Sequence, residues 1–205
     1  MTTQNKRSTM TLYANKNCPF SHRVMMVLAE KGVVADVKLI DLDKKPEELL
    51  ELNPYAQVPT LVDRDVIVYE SEIIFEYLEE RFPHPPLLSV FPIERAQARL
   101  LNKRIDRDWI PYLSQALYAK DDKIIYHSKL ELMKAVLGML PVFKRYRYFM
   151  SDEFSIVDCT LGSILYRLPE LGIQLPEKAQ SIKNYAKRIF DRESFITSVE
   201  MMKGG

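Results

Sequence analysis

The sequence predicts two domains, an N-terminal domain of alternating strands and helices and a C-terminal domain built from helices alone. The chain has 205 residues, a length that suits one large domain or two small ones. Its periodicity becomes purely helical after residue 93, and three prolines within residues 83–86 forbid a helix there. The charge divides as well. Residues 1–93 carry 10 basic and 14 acidic side chains, a net of −4, and residues 94–205 carry 19 and 14, a net of +5. We therefore expect domains at 1–82 and 94–205, with a Pro-rich linker at 83–93.

The N-terminal half alternates short apolar runs with amphipathic stretches. Strands are predicted at 10–13, 33–42, 60–62 and 66–69, and helices at 21–31, 46–52 and 71–82. Gly32 is a helix stop, and Ser71 is a candidate cap for the helix that follows it. Because a strand–helix–strand unit crosses over in one hand, we expect the first two strands to be parallel.

The C-terminal half contains only helical patterns. Helices are predicted at 93–118, 130–143, 156–168 and 177–192. Pro111 lies inside the first of these and predicts a kink or a split. Ser155 and Asp158 have the spacing of a capping box, which indicates a helix that begins at residue 156.

Composition excludes several classes of protein. Hydrophobic residues make up 47% and charged residues 28%, which is typical of a globular chain and not of a disordered one. The net charge of +1 gives no overall attraction to nucleic acid or anionic lipid. The sequence has no apolar run of about 18 residues, no signal peptide and only two cysteines, so we expect a cytoplasmic, reducing location without membrane association. Its three histidines are too far apart in the sequence to indicate a metal site.

A thiol motif, Cys18-Pro19-Phe20-Ser21, opens the first predicted helix. A cysteine at a helix N-terminus faces the positive end of the helix dipole, which stabilises the thiolate and makes it nucleophilic. His22 and Arg23 are candidate helpers. Ser21 replaces the resolving thiol of a two-cysteine redox motif, so only monothiol chemistry with an external thiol is left. The alternative is that Cys18 is a small residue in a tight turn.

Two further motifs belong to the same half. Val58-Pro59 opens a strand where proline cannot donate to the ladder, and a cis bond there would expose the Val58 backbone to a ligand. Glu70-Ser71 precedes a helix, where an acid and a hydroxyl can bind the ammonium and carboxylate of an amino acid. Ordinary capping is the alternative for this pair.

Taken together, these motifs resemble the glutathione site in the thioredoxin-like domain of glutathione transferases. The helical half, with its capping box at 155–158, is similar to the transferase C-terminal domain. The resemblance implies a two-domain glutathione transferase fold and a symmetric dimer. It also implies that glutathione, if bound, contacts Cys18, Phe20, Val58, Pro59, Glu70 and Ser71.

A more specific resemblance is to the bacterial stringent starvation protein A family. It is carried by residues 5–8, 21–23, 27–33, 58–64, 79–87, 151–155 and 167–173. This resemblance implies a homodimer that binds RNA polymerase holoenzyme, including its sigma factor, and changes promoter choice in starvation and stress. It implies no catalytic role and no required cofactor. A heterodimer with a paralogue is compatible with it.

The polymerase-binding surface implied by the resemblance is Pro83, His84 and Pro85. Prolines reduce the entropy lost on binding, and Phe82 and Phe91 are candidate apolar anchors beside them. Composition alone favours an inert linker, and the resemblance reverses that preference. The basic and aromatic run at 144–149 is a candidate for contacting DNA phosphates inside the polymerase complex, or else a solvated loop.

Cys18 departs from the family pattern, because some members lack a cysteine in this turn. The rival interpretation is therefore an enzyme, a glutathione-dependent transferase or thiol reductase with Cys18 as nucleophile. In a third interpretation both hold, and a bound thiol ligand tunes the dimer.

Overall fold

The computed structural model describes residues 10–204, so the family-like stretch at residues 5–8 lies outside the described residues. Contacts within the chain divide it into two units. The first comprises the chain up to Pro85 together with Glu193 onward, and the second is Pro86–Arg192. The first unit holds the sheet, and the second holds helices.

A four-stranded mixed sheet forms the centre of the first unit. Its strands are β1 (Met10–Ala14), β2 (Ala35–Leu39), β3 (Thr60–Asp63) and β4 (Val66–Tyr69). The strand order is β2-β1-β3-β4, with β1 parallel to β2 and the other pairs antiparallel. Met10 of β1 aligns with Ala35 of β2, and Leu12 aligns with Leu61 of β3. The parallel first pair confirms the crossover expected from the sequence.

The described residues also form helices at the following positions: α1 (Pro19–Glu30), α2 (Glu47–Leu52), α3 (Ser71–Arg81), α4 (Pro92–Asp108), α5 (Ile110–Tyr118), α6 (Asp122–Gly138), α7 (Leu140–Arg145), α8 (Ile156–Leu165), α9 (Gln180–Phe190) and α10 (Glu193–Lys203). A single 3-10 turn, Glu177–Ala179, precedes α9. Helices α1, α2, α3 and α10 belong to the first unit, and α4 to α9 belong to the second.

Helix α10 packs on α1, and the sequence did not predict it. Its buried face mixes Phe195 and Met202 with Ser194 and Ser198, so the apolar periodicity is weak. The hydroxyl of Ser198 lies 3.1 Å from Nε2 of His22 on α1, and the Phe195 ring packs beside the same imidazole. The helix is held as much by short polar side chains as by apolar ones.

The cap predicted at Ser71 is wrong. Glu70 is the residue that precedes α3, with φ of 64°, and Ser71 is the first helical residue. Neither side chain makes a capping hydrogen bond; instead, the Ser71 hydroxyl accepts hydrogen bonds from Arg23 of α1. A tertiary partner therefore replaces the local one.

In the second unit the predicted split at Pro111 is confirmed, because α4 ends at Asp108 and α5 begins at Ile110. The helix predicted at 130–143 differs from the structure. It begins at Asp122, where the Asp121 carboxylate caps the N–H of Lys123 at 2.8 Å, and it breaks at Met139. Pro141 lies in the first turn of α7 and cannot continue the preceding helix.

Helix α8 is the most deeply buried helix of this unit, with all ten of its residues buried. The predicted capping box is confirmed, since the Ser155 hydroxyl accepts from the Val157 N–H and the Asp158 carboxylate accepts from the Ser155 N–H. Asp158 is also bound by the N–H of Phe149 and the hydroxyl of Tyr185, at 2.9 and 2.6 Å. Burial raises the pKa of Asp158 to about 6, although these hydrogen bonds act in the opposite direction.

Candidate functional site

The thiol of Cys18 lies at the start of α1, where Cys18 is the N-cap residue and Pro19 occupies the first turn. Its Sγ is 3.8 Å from the carbonyl oxygen of Val58, the geometry of a thiol that donates to a carbonyl. The Val58–Pro59 peptide bond is cis. Cys18 is nearly buried, with 7% of its surface exposed. The structure thus places the thiol turn beside the Val58–Pro59 segment that precedes β3.

Glu70 and Ser71 lie in the same unit, at the start of α3. The Glu70 side chain is exposed and its backbone has positive φ, whereas the Ser71 side chain is buried. The Ser71 hydroxyl accepts from Nε and Nη2 of Arg23, at 3.0 and 2.5 Å. The guanidinium of Arg23 therefore fixes the position of the Ser71 hydroxyl.

Arg23 is almost completely buried, with 1% of its surface exposed. Its guanidinium lies 4.7 Å from the centre of the Phe20 ring and 5.3 Å from that of Phe75. Arg23 and His22 were expected to assist the thiol, but the structure places Arg23 against Ser71 and His22 against Ser198. Sequence reasoning missed the Arg23–Ser71 contact because the two residues are 48 positions apart.

A polar cluster of Tyr13, Lys38 and Glu48 covers part of the sheet. The Tyr13 hydroxyl donates to Oε1 of Glu48 at 2.5 Å and accepts from Nζ of Lys38 at 3.1 Å. Burial and the hydrogen bond to Glu48 raise the pKa of Tyr13 above its ordinary value. Tyr13 also packs with Ile40 and Leu49, so its ring is part of the hydrophobic core.

The proline segment follows α3 at the end of the first unit. Pro83, His84 and Pro85 are exposed, and Phe82 is half-buried, with the guanidinium of Arg81 over its ring at 5.1 Å. The His84–Pro85 peptide bond is cis. Lys31, which the sequence did not single out, donates to the carbonyl oxygens of Phe82 and Pro85. The segment is therefore an exposed turn with buried attachments.

Phe91 belongs to the second unit, where it is the residue before α4. Its ring is 63% exposed, and its neighbours Val90 and Ile93 are also exposed. An exposed aromatic side chain of this kind suits the apolar anchor expected from the sequence.

The run at 144–149 is only partly a surface feature. Lys144, Arg145 and Arg147 are exposed, but Tyr148 and Phe149 are buried. The Phe149 ring packs 5.3 Å from that of Phe143. In this run, the three basic side chains are therefore the ones exposed for the candidate contact with DNA phosphates.

Among residues 10–204, no helix has the combination of length and apolarity that crossing a membrane requires. Within the same residues, no cluster of three metal-ligating side chains suits a metal ion.

Comparisons with known proteins agree with this architecture. The family model described as "Glutathione S-transferase, N-terminal domain" matches residues 17–81, and "Glutathione S-transferase, C-terminal domain" matches residues 100–193. A stringent starvation protein A homolog of Haemophilus influenzae is 47% identical over 195 residues, which cover 95% of this chain and 92% of that protein. A homolog of the same name from Coxiella burnetii is 47% identical over 196 residues, covering 95% and 93%.

Among solved structures, this chain is similar to glutathione transferase Omega 3C from Trametes versicolor. The two share 28% of their residues with a TM-score of 0.79, over 93% of this chain and 84% of the other. The family models and the solved structure therefore indicate the same fold for this chain.

Proposed function

We propose that this chain, because it belongs to the stringent starvation protein A family of the glutathione transferase fold, regulates transcription in stress by binding RNA polymerase holoenzyme as a homodimer. The observation that carries the proposal is the proline turn at residues 83–85. The family resemblance implies that this turn binds polymerase, and its exposure at the end of α3 supports that role.

The chemistry of the turn supports docking to a protein. Pro83 and Pro85 have fixed φ angles, so ordering this segment on a partner costs less conformational entropy than ordering a flexible loop. The exposed imidazole of His84 offers a polar contact between two apolar rings. Exposed Phe91 of the second unit adds apolar area for the same class of partner.

A pull-down of RNA polymerase core enzyme with its sigma factor tests the proposal. We expect the wild-type chain to retain holoenzyme, and the triple variant Pro83→Ala, His84→Ala, Pro85→Ala to lose it while keeping its circular dichroism spectrum. The double variant Pro169→Ala, Glu170→Ala changes an exposed proline of the other unit and is the matched control. Retention of holoenzyme by the triple variant would refute the assigned surface.

The homodimer has its own measurement. Sedimentation equilibrium of the purified chain should give twice the mass of one chain at micromolar concentration. A single-chain mass at that concentration would remove the dimer from the proposal.

A second candidate function is a glutathione-dependent transferase or thiol reductase with Cys18 as nucleophile. The observation in its favour is the contact of Sγ of Cys18 with the carbonyl of Val58, beside Pro59. In this candidate the Val58 backbone binds the glutathione backbone, Glu70 and Ser71 bind its γ-glutamyl end, and Phe20 lies next to the thiol. This candidate function requires that the chain bind glutathione and that the binding depend on Cys18.

A further inference from the structure

We propose that Lys31 is a positioning residue for the polymerase-docking turn, and that it substitutes for the backbone hydrogen bond that the turn itself cannot form. The inference rests on the proposed function, since it concerns how the same surface is held ready for its partner. The contacts that support it involve Lys31 at the end of α1, Glu79 on α3 and the carbonyl groups of Phe82 and Pro85.

The turn lacks its own closing bond. A four-residue turn over residues 82–85 would close through a hydrogen bond from the N–H of its fourth residue to the carbonyl of its first. Here the fourth residue is Pro85, which has no N–H, and Pro83 has none either. Neither proline of the turn can therefore donate to the carbonyl of Phe82, and a donor from elsewhere in the protein can take that place.

Lys31 supplies that donor. Its Nζ donates to the carbonyl oxygen of Phe82 at 2.7 Å and to that of Pro85 at 3.1 Å. One ammonium group thus joins both ends of the turn, with Pro83 and His84 displayed between them. An ammonium can do this because it carries three donors on one atom.

Glu79 takes up the remaining charge. Its Oε2 lies 2.7 Å from Nζ of Lys31, and the two side chains are 6% and 0% exposed respectively. A buried ammonium without a counter-charge is strongly destabilising, and the carboxylate supplies the counter-charge beneath the turn. The ammonium thus donates hydrogen bonds to two carbonyls and forms an ion pair with this carboxylate.

The backbone of Lys31 is fixed as well. Helix α1 ends in a left-handed turn at Gly32, with φ of 62°, and the N–H of Val33 donates to the carbonyl of Leu28 at 2.9 Å. Lys31 therefore projects from a rigid helix end and not from a loop. Through its hydrogen bonds, the Lys31 side chain anchors the turn to the end of α1.

The expected consequence is preorganisation. When the binding-competent conformation is only a fraction of the population, the apparent affinity falls by that fraction. A turn released from Lys31 that holds its docking shape about a tenth of the time should bind holoenzyme about tenfold more weakly.

The test compares the double variant Lys31→Met, Glu79→Leu with the wild type. Both buried charges are removed together, because such replacement by apolar side chains often leaves stability unchanged. We expect an unchanged circular dichroism spectrum, about tenfold weaker holoenzyme binding, and a shift of the His84 ring resonances in NMR towards those of a free histidine. The matched control is Lys187→Met, Asp191→Leu, which removes an exposed ion pair of α9 and should change neither measurement.

The outcomes separate this inference from the function it rests on. Wild-type binding and wild-type His84 resonances in the folded double variant would overturn the role of Lys31. If the wild-type chain does not bind holoenzyme, or the triple alanine variant still does, the proposed function fails, and the His84 resonances still report on Lys31. If the double variant does not fold, Lys31→Arg keeps the charge but changes the donor geometry; unaltered binding by that variant would overturn the inference.

Discussion

Replacing Asp158 with alanine removes the carboxylate that joins α8 to its surroundings in the helical unit. Its two oxygens accept from the N–H of Phe149 at 2.9 Å, the hydroxyl of Tyr185 at 2.6 Å, and the N–H and hydroxyl of Ser155 at 2.9 and 3.1 Å. Phe149 and Tyr185 are buried, so the N–H of Phe149 and the hydroxyl of Tyr185 cannot bond to water instead. The substitution leaves these groups unsatisfied in place.

The magnitude follows from two opposing effects. Each buried donor left without an acceptor costs about 2 kcal/mol, and the lost helix cap costs about 1 kcal/mol, a gross loss of about 5 kcal/mol. The variant also escapes the cost of burying an ionised carboxylate. Because burial raises the pKa of Asp158 from 3.8 to about 6, that cost is about 3 kcal/mol at pH 7. We expect Asp158→Ala to lower the free energy of unfolding by about 2 kcal/mol at pH 7.

Urea unfolding at pH 7 measures this difference. Trp109, the single tryptophan, lies in the same unit and is 6% exposed, so its fluorescence reports unfolding of the helical unit. Asp152→Ala is the control, because Asp152 is exposed and its substitution should change stability by less than about 0.5 kcal/mol. If Asp158→Ala lowers the free energy of unfolding by no more than this control does, the Asp158 carboxylate does not stabilise the packing of α8.

Two further predictions concern pH and the thiol. The pKa of Asp158 is about 6 in the folded state, and its ordinary value is 3.8. Between these pH values the folded state binds a proton that the unfolded state has released. The stabilisation from this proton is therefore complete below pH 3.8 and is lost as pH rises through 6. Urea unfolding from pH 4 to 7 should show a fall of about 2 kcal/mol in wild type that is absent from Asp158→Asn. Equal slopes in the two proteins would contradict the assignment. For the thiol, calorimetry with glutathione should give a micromolar dissociation constant that Cys18→Ser abolishes, if the second candidate function is correct; absence of binding by the wild type would exclude it.

Local patterns in the sequence predicted the strands, the parallel first pair, the split at Pro111 and the capping box of Ser155. Each of these features is set by residues within a few positions of one another, where periodicity, proline and short polar side chains act directly. The crossover rule accounts for the parallel pairing of β1 and β2, whereas the strand order β2-β1-β3-β4 is known from the structure alone. The two-domain glutathione transferase fold itself was expected from the family resemblance of the motifs, and the local patterns predicted many of its elements.

Long-range side-chain partners could not be predicted in the same way. Ser71 has the sequence of a cap, but an arginine 48 residues earlier binds its hydroxyl. Lys31 binds carbonyl groups, and a carbonyl acceptor leaves no trace in the identity of a residue. Helix α10 was missed because Ser194 and Ser198 provide part of its contact surface. Such contacts depend on the folded chain, and only the structure reveals them.

The position of α10 has a consequence for synthesis on the ribosome. His22 of α1 and Ser198 of α10 are 176 residues apart, yet they contact each other inside the unit that contains the sheet. At a translation rate of about 5–20 residues per second, α1 waits roughly 9–35 seconds for this partner. The helical unit, Pro86–Arg192, is continuous in sequence and emerges complete during that interval. The sheet unit is therefore started first and finished last, and its α1 surface is open to chaperones in the meantime.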